Sequence, residues 1–368
     1  MHVVKLPIRL SRNFTCYNFC MLKKATKILG WIVLGLIVLS IVIYIFVSIP
    51  LWWVYTSLND SDLQIPASEP IPTASNAATY IPIQGEITPE EKIILDTNPE
   101  YINGEFYVDN KKMSAGELSA YIQNSTPLVV KFEKAAAAPA YQCPLSFGQI
   151  DYASELCRLG ILRQLGSLTV FHAHYYENLG QLNRAVELLT ATLTLGALVV
   201  QRPAPGGPLI ETLIGMALIT QSLDTLEKSV SLQAKLAPVI ANFKLKDDMA
   251  VLTIKYEYQS FKNTVLIMNN GQAFAGQGTY LTQPNQTVNR YAELMRQNVK
   301  ASLTPCNQVL DSAVRDQQLI TMRKEASSFP GILKPNLIGR ILISTVASSV
   351  TLHKPRCEVN ERIDALSS

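Results

Sequence analysis

From residue 28 to residue 49 no position is charged, most are Ile, Val or Leu, and no proline occurs before Pro50. At a helical rise of about 1.5 Å this run spans about 33 Å, enough to cross a hydrocarbon core of about 30 Å. The pattern then changes. Between residues 57 and 90, Pro66, Pro70, Pro72, Pro82 and Pro89 interrupt Ser, Thr, Asn and Ala with no hydrophobic period, which predicts an extended linker lifting the following chain off the bilayer. Residues 101–108 suit a short hairpin. Ser114-Ala115-Gly116-Glu117 suits a capping box that opens a short helix through Gln123, with a second short helix over Leu128–Ala137.

From about residue 148 the apolar spacing is helical. Leu156, Leu159, Leu162, Leu165 and Leu168 mark one face, which Gly180 ends, and Leu182, Ala185, Val186, Leu189 and Leu193 mark the next. After the Pro203–Pro208 loop a third stripe carries Leu209, Leu213, Met216, Leu223 and Leu226. A fourth carries Ile254, Tyr258, Phe261, Val265 and Met268. Further helices are expected near 288–303, 306–326 and 335–351; the last is too short, and Arg340 too central, for a second span. No alternating strand pattern follows residue 148. The expectation is an all-α fold, an irregular array of helical hairpins behind one transmembrane helix and a Pro-rich linker. The divisions are a basic tail 1–27, the span 28–49, the linker 50–90, a small mixed segment 91–142 and a helical domain 143–368.

Charge fixes the expected orientation. Lys5, Arg9, Arg12, Lys23, Lys24 and Lys27 stand before the span with no acid among them; the rest of the chain holds 26 basic against 29 acidic residues. The positive-inside rule puts the tail in the cytoplasm and the large portion outside, with Lys23, Lys24 and Lys27 at one membrane interface and Trp52, Trp53 and Tyr55 at the other. A cleaved secretory signal is disfavoured by the length of the apolar run and by the lack of a small-x-small site before the Trp pair. Met21 opens a compact basic region by itself, so it is an alternative start to Met1. A mildly acidic body argues against nucleic acid as partner. The expected partners are the bilayer, through one helix, and a protein or other envelope component.

Six cysteines divide by compartment. Cys16 and Cys20 fall on the reducing side; Cys143, Cys157, Cys306 and Cys357 fall outside, where disulfides persist. Of three pairings, Cys143–Cys157 with Cys306–Cys357 is the least demanding, since each bond closes a loop within one region.

Residues 173–189, with Gly180 at the turn, Ala185 five residues on, and then Leu193 and Leu195, resemble one tetratricopeptide hairpin. A small residue at 185 would let two helices approach closely. One copy alone implies a helical hairpin, not a peptide-binding array, because a solenoid needs about three repeats. More widely, Glu133–Pro139, Cys143-Pro144-Leu145, the leucine-rich hairpin, Pro208–Ala217 and Asn336–Leu342 follow one another as in a family of uncharacterised bacterial proteins that this chain resembles. That resemblance implies an N-terminal membrane helix and an all-helical exported domain, and no activity.

Candidate chemistry is sparse. His172 and His174 are two apart and diverge by about 200° on a helix, so they cannot chelate one metal; one is expected in the core and one exposed. His353 and Cys357 are four apart, but Pro355 between them argues against a helix. Gly-x-Ser-x-Gly is absent, and Gly206-Gly207 and the Gly271/Gly276/Gly278 cluster lack the Lys-Ser/Thr of a phosphate cradle. Glu211 is the one weak catalytic candidate, although an acid in a first helical turn is ordinarily there for the helix dipole. Tyr256, Tyr258 and Phe261 with Lys255 and Lys262 read as core packing with solvated lysines, or as a groove. No metal or cofactor is implied. A binding protein of the envelope is therefore the preferred reading, and an envelope hydrolase with carboxylates in a cleft is the alternative.

Overall fold

The computed structural model describes residues 31–42, 57–66, 69–82, 84–142, 159–202, 207–269, 283–308, 336–346 and 352–368, with helical positions also at 317, 320, 321 and 324. The fold is all-α. Helix α1 is Trp31–Val42, and every one of its residues is exposed. The body contains α2 (Pro89–Leu95), α3 (Ala115–Ala136), α4 (Leu159–Asn178), α5 (Leu182–Val200), α6 (Leu209–Lys228), α7 (Val230–Ile240), α8 (Met249–Asn269), α9 (Pro284–Ser302), α10 (Leu337–Val346) and α11 (His353–Ser367). A three-stranded antiparallel sheet stands between α2 and α3: β1 (Pro99–Ile102), β2 (Glu105–Val108) and β3 (Lys111–Lys112). The expected hairpin is thus present with one strand more, turning at Asn103 and Gly104, both at positive φ.

The expected linker is docked instead of extended. Leu63, Ala77, Ala78 and Ile81 are each at most 3% exposed and join the main core. The segment folds as short 3-10 turns, Ser61–Leu63, Thr73–Ser75 and Ala77–Tyr80, whose apolar residues follow neither a helical nor a strand period. Asn76 replaces regular pairing: its Oδ1 accepts from the backbone of Ala78 (3.1 Å) and Gln142 (2.9 Å), and its Nδ2 donates to the Gln142 carbonyl (2.7 Å).

The two short helices expected around Pro127 are one, α3. Its capping box at Ser114 and Glu117 forms as expected. An interior proline costs a helix about 3 kcal/mol. Burial of Leu128, Val129 and Phe132, each at most 1% exposed, returns about 1.5–3 kcal/mol apiece, so the helix continues. Ser125 and Thr126 donate to the carbonyls of Tyr121 (2.6 Å) and Ile122 (2.7 Å) just before the proline.

Helices α4, α5 and α6 form the centre, packed on one another, with α3 against α4 and α11 against α6 and α7. Gly180 (φ 73°) ends α4, with the Gln181 amide donating to the Tyr176 carbonyl and the Gly180 amide to that of Glu177. Helices α5 and α6 meet closely at Gly196 and Gly215, and Ala185 is fully buried. A Cβ on Gly196 would lie 2.8 Å from the Gly215 carbonyl oxygen and 2.9 Å from Ile219 Cγ1. Gly196→Ala should push α5 from α6 and lower stability by about 1–3 kcal/mol. Urea unfolding followed by circular dichroism checks this, with Gly160→Ala, which meets no atom, as the silent control.

The two long apolar helices α5 and α6 have 50% and 56% of their most hydrophobic stretches buried in the body. The fourth stripe is core as expected: Ile254, Tyr258, Phe261 and Val265 are buried. Helix α11 corrects the expectation for Pro355. The proline sits in the first helical turn, where a backbone N–H would have no intrahelical acceptor, so nothing is lost.

Candidate binding groove

Immediately after residue 56 the chain is strapped along α8 and α9. Asn289 Nδ2 donates to the Ser57 carbonyl (2.7 Å), and the Asn59 amide donates to Asn289 Oδ1 (2.9 Å). Arg296 grips Asp62 through Nε (2.8 Å) and Nη2 (2.7 Å), and Nη2 also donates to the Asn59 carbonyl (2.6 Å). The Arg296 guanidinium holds the Asp62 carboxyl below its ordinary range. Deeper in, Asp60 accepts from Tyr258 Oη (2.7 Å) and Lys262 Nζ (2.6 Å). Burial works to raise the Asp60 carboxyl, but those two bonds outweigh it and hold it low, while burial and then Asp60 itself push the Tyr258 hydroxyl up. Lys262 is therefore a structural counter-ion, not a solvated lysine.

Beside this strap lies an open groove of about 450 Å³, lined by Asp62 and Leu63 of the strap, Lys255 of α8, Arg296, Val299 and Lys300 of α9, and the turn Leu303-Thr304-Pro305 with Gln308. Its lining combines apolar side chains with three cations and one carboxylate. That carboxylate is already held by Arg296. Lys255 makes only a long bond to the Gln64 carbonyl (3.5 Å), and Lys300 has no ion pair among the described residues. Such a surface can bind an anion with an apolar portion.

Glu211, the candidate acid, is far from solvent. It is fully buried, and Arg202, itself 4% exposed, bonds its carboxylate and also donates to the Pro208 carbonyl (3.2 Å) and Thr212 Oγ1 (3.2 Å). Thr212 meets Thr253 Oγ1 at 2.8 Å. Nearby Glu257 accepts from the Leu209 amide (2.6 Å), and burial raises its carboxyl despite that bond and the nearby Arg202. The acid in the first turn of α6 thus balances an interior arginine, a partner that sequence spacing of nine residues through a proline loop did not reveal.

Both histidines are interior, where one was expected outside: His172 is 1% exposed and His174 9%. Helix α4 has neighbours on several sides, so opposite faces are both covered. His172 Nε2 meets Ser125 Oγ at 2.7 Å, and His174 stacks on Tyr101 (centroids 4.2 Å) with Nε2 3.2 Å from Thr225 Oγ1. Burial, aided by Arg184, pulls His172 down to about 4. A histidine depressed in the folded state binds its proton more readily unfolded. Its contribution is whole above pH 6.5 and is lost as pH falls from about 6.5 toward about 4. Melting temperatures measured between pH 7.5 and pH 4.5 should fall, and His172→Gln, which keeps a partner for Ser125, should flatten that slope.

Cys306 and Cys357 form a disulfide, one of the two expected bonds; Cys143 and Cys157 lie outside the described residues. Beside it Arg356, 1% exposed, donates to the carbonyls of Asp247 (2.8 Å), Ser302 (2.8 Å) and Thr304 (2.7 Å). His353 Nε2 lies 3.7 Å from the bonded Cys357 Sγ, so the pair shares a helix face but the sulfur is already used. Among the described residues no cluster of metal-ligating side chains occurs. Lys23, Lys24, Lys27, Trp52, Trp53 and Tyr55 lie outside the described residues. Comparison of the chain with protein-family models, curated proteins and solved structures finds no match.

Proposed function

We propose that this chain is a single-pass membrane protein whose helical body lies outside the cytoplasm and binds a partner of the envelope, through the groove between the strap and α9. The observation that carries the binding reading is the placement of charge. The buried acids Glu211 and Asp60 are committed to Arg202 and to Lys262 and Tyr258, while the cations Lys255 and Lys300 face the open groove. A hydrolase built on Glu211 would need that carboxylate near substrate, and its bond to Arg202 argues the other way.

Anchoring is supported by α1, whose large side chains are 41–73% exposed, as befits a helix whose solvent is lipid. The half-buried α5 and α6 suit a protein core better. The Cys306–Cys357 bond supports an oxidising compartment. The α4–α5 hairpin supports the likeness to one tetratricopeptide unit, and the helical body supports the likeness to membrane-anchored bacterial proteins. Full-length chain should stay with membranes through an alkaline carbonate wash, and removal of residues 28–49 should release it. Crosslinking at Lys255 or Lys300 in intact cells should give adducts that the same reagent at Lys111, on the sheet, does not. Release of the full-length chain by carbonate would remove the anchor, and identical adducts at all three sites would remove the groove.

A further inference from the structure

The docked strap changes where the groove stands. A linker running to residue 90 would let the body float far from the bilayer, but the chain is already fixed to α9 at Ser57. From Pro50 to Ser57 a fully extended chain reaches no more than about 25 Å. The strap that begins there supplies two of the groove's own lining residues, Asp62 and Leu63. Resting on the single-pass reading above, we infer that the groove binds the phosphate headgroup of an anionic phospholipid in the leaflet that faces the body.

Three features select this occupant. Of the groove's cations, Lys255 and Lys300 form no ion pair among the described residues, and they offer ammonium groups to a phosphodiester. Asp62 and Asn59 hold Arg296 in place, and Asp62 balances its charge, so the groove's net positive charge comes from the two lysines. Val299, Leu303 and Pro305 give the glycerol and upper acyl carbons an apolar surface, Leu303 being 45% exposed. A free inorganic anion would use the cations and leave those apolar side chains bare.

The test uses the full chain in lipid nanodiscs of phosphatidylcholine alone, or with phosphatidylglycerol added, and an amine-acylating reagent read by peptide mass spectrometry. Acylation of Lys255 and Lys300 should fall by about threefold or more when phosphatidylglycerol is present. The exposed Lys111 and Lys354 (76% and 81%) should keep their rates. Glycerol 1-phosphate added to phosphatidylcholine discs should not reproduce the protection; if it does, the occupant is a soluble phosphate compound and the lipid inference fails. Equal loss at all four lysines would mean general shielding and also defeats it. No protection in discs that carry the chain overturns the lipid site and leaves the anchor standing. Failure of the chain to enter discs at all removes both. As a second readout, the Lys255→Gln/Lys300→Gln chain should lose the phosphatidylglycerol that the unaltered chain retains in native mass spectrometry, at an unchanged melting temperature. Retention by that variant would count against the site.

Discussion

Arg202→Met should cost about 3–5 kcal/mol, because it leaves the Glu211 carboxylate buried without its counter-charge. For a body of this size that is a fall of about 5–8 °C in melting temperature. The loss is not simply that of one hydrogen bond. Arg202 also donates to the Pro208 carbonyl and to Thr212, which connects through Thr253 to α8. Its removal therefore loosens the start of α6 and the α6–α8 contact together. The paired change Arg202→Met/Glu211→Leu should recover most of the loss, since replacing both ions with apolar groups avoids the desolvation of each. Thermal unfolding of the full chain in detergent, followed by circular dichroism, distinguishes the cases. A single variant that melts with the unaltered protein would mean that Glu211 does not depend on Arg202 for its counter-charge.

Reduction of Cys306–Cys357 should have the second large effect. The bond closes a separation of 51 residues, and loop-closure entropy assigns about 4 kcal/mol to a loop of that length. Dithiothreitol, or Cys306→Ser/Cys357→Ser, should lower the melting temperature by about 6 °C. Arg356 limits the damage: its bonds to Asp247, Ser302 and Thr304 still tie α11 to the ends of α8 and α9. Reduced protein should therefore keep its helical circular dichroism at 25 °C while melting earlier. Coincident melts with and without reductant would show that the bond adds nothing.

Much of the body was legible because its helices are amphipathic and bounded by strong local signals. Gly180 ends α4, Ser114 caps α3, and Asn103-Gly104 turns the hairpin, each by backbone chemistry that a few residues specify. Where tertiary contacts overrode local preference, sequence reading failed. Pro127 sits inside α3 because the burial after it outweighs the break, and residues 57–82 dock through irregular 3-10 turns with no period to detect. His174 is covered by the sheet and α6, elements distant in sequence.

The groove was only half legible. Lys255 stood out beside an aromatic stripe, and Arg296 and Lys300 share an i, i+4 face of α9. Their meeting with Asp62 depends on a strap about 190 to 240 residues away. Glu211 is legible as an acid in a first helical turn, but its partner Arg202 lies nine residues back, across a proline loop.

The proposed single-pass topology requires one lipid-crossing helix with the body on the far side. Alkaline phosphatase fused after Ser368, and expressed in bacterial cells, tests this directly, because that enzyme becomes active only after export. High phosphatase activity in the membrane fraction is the expected result. An inactive fusion at normal abundance, together with a fluorescent green fluorescent protein fusion at the same position, would contradict it.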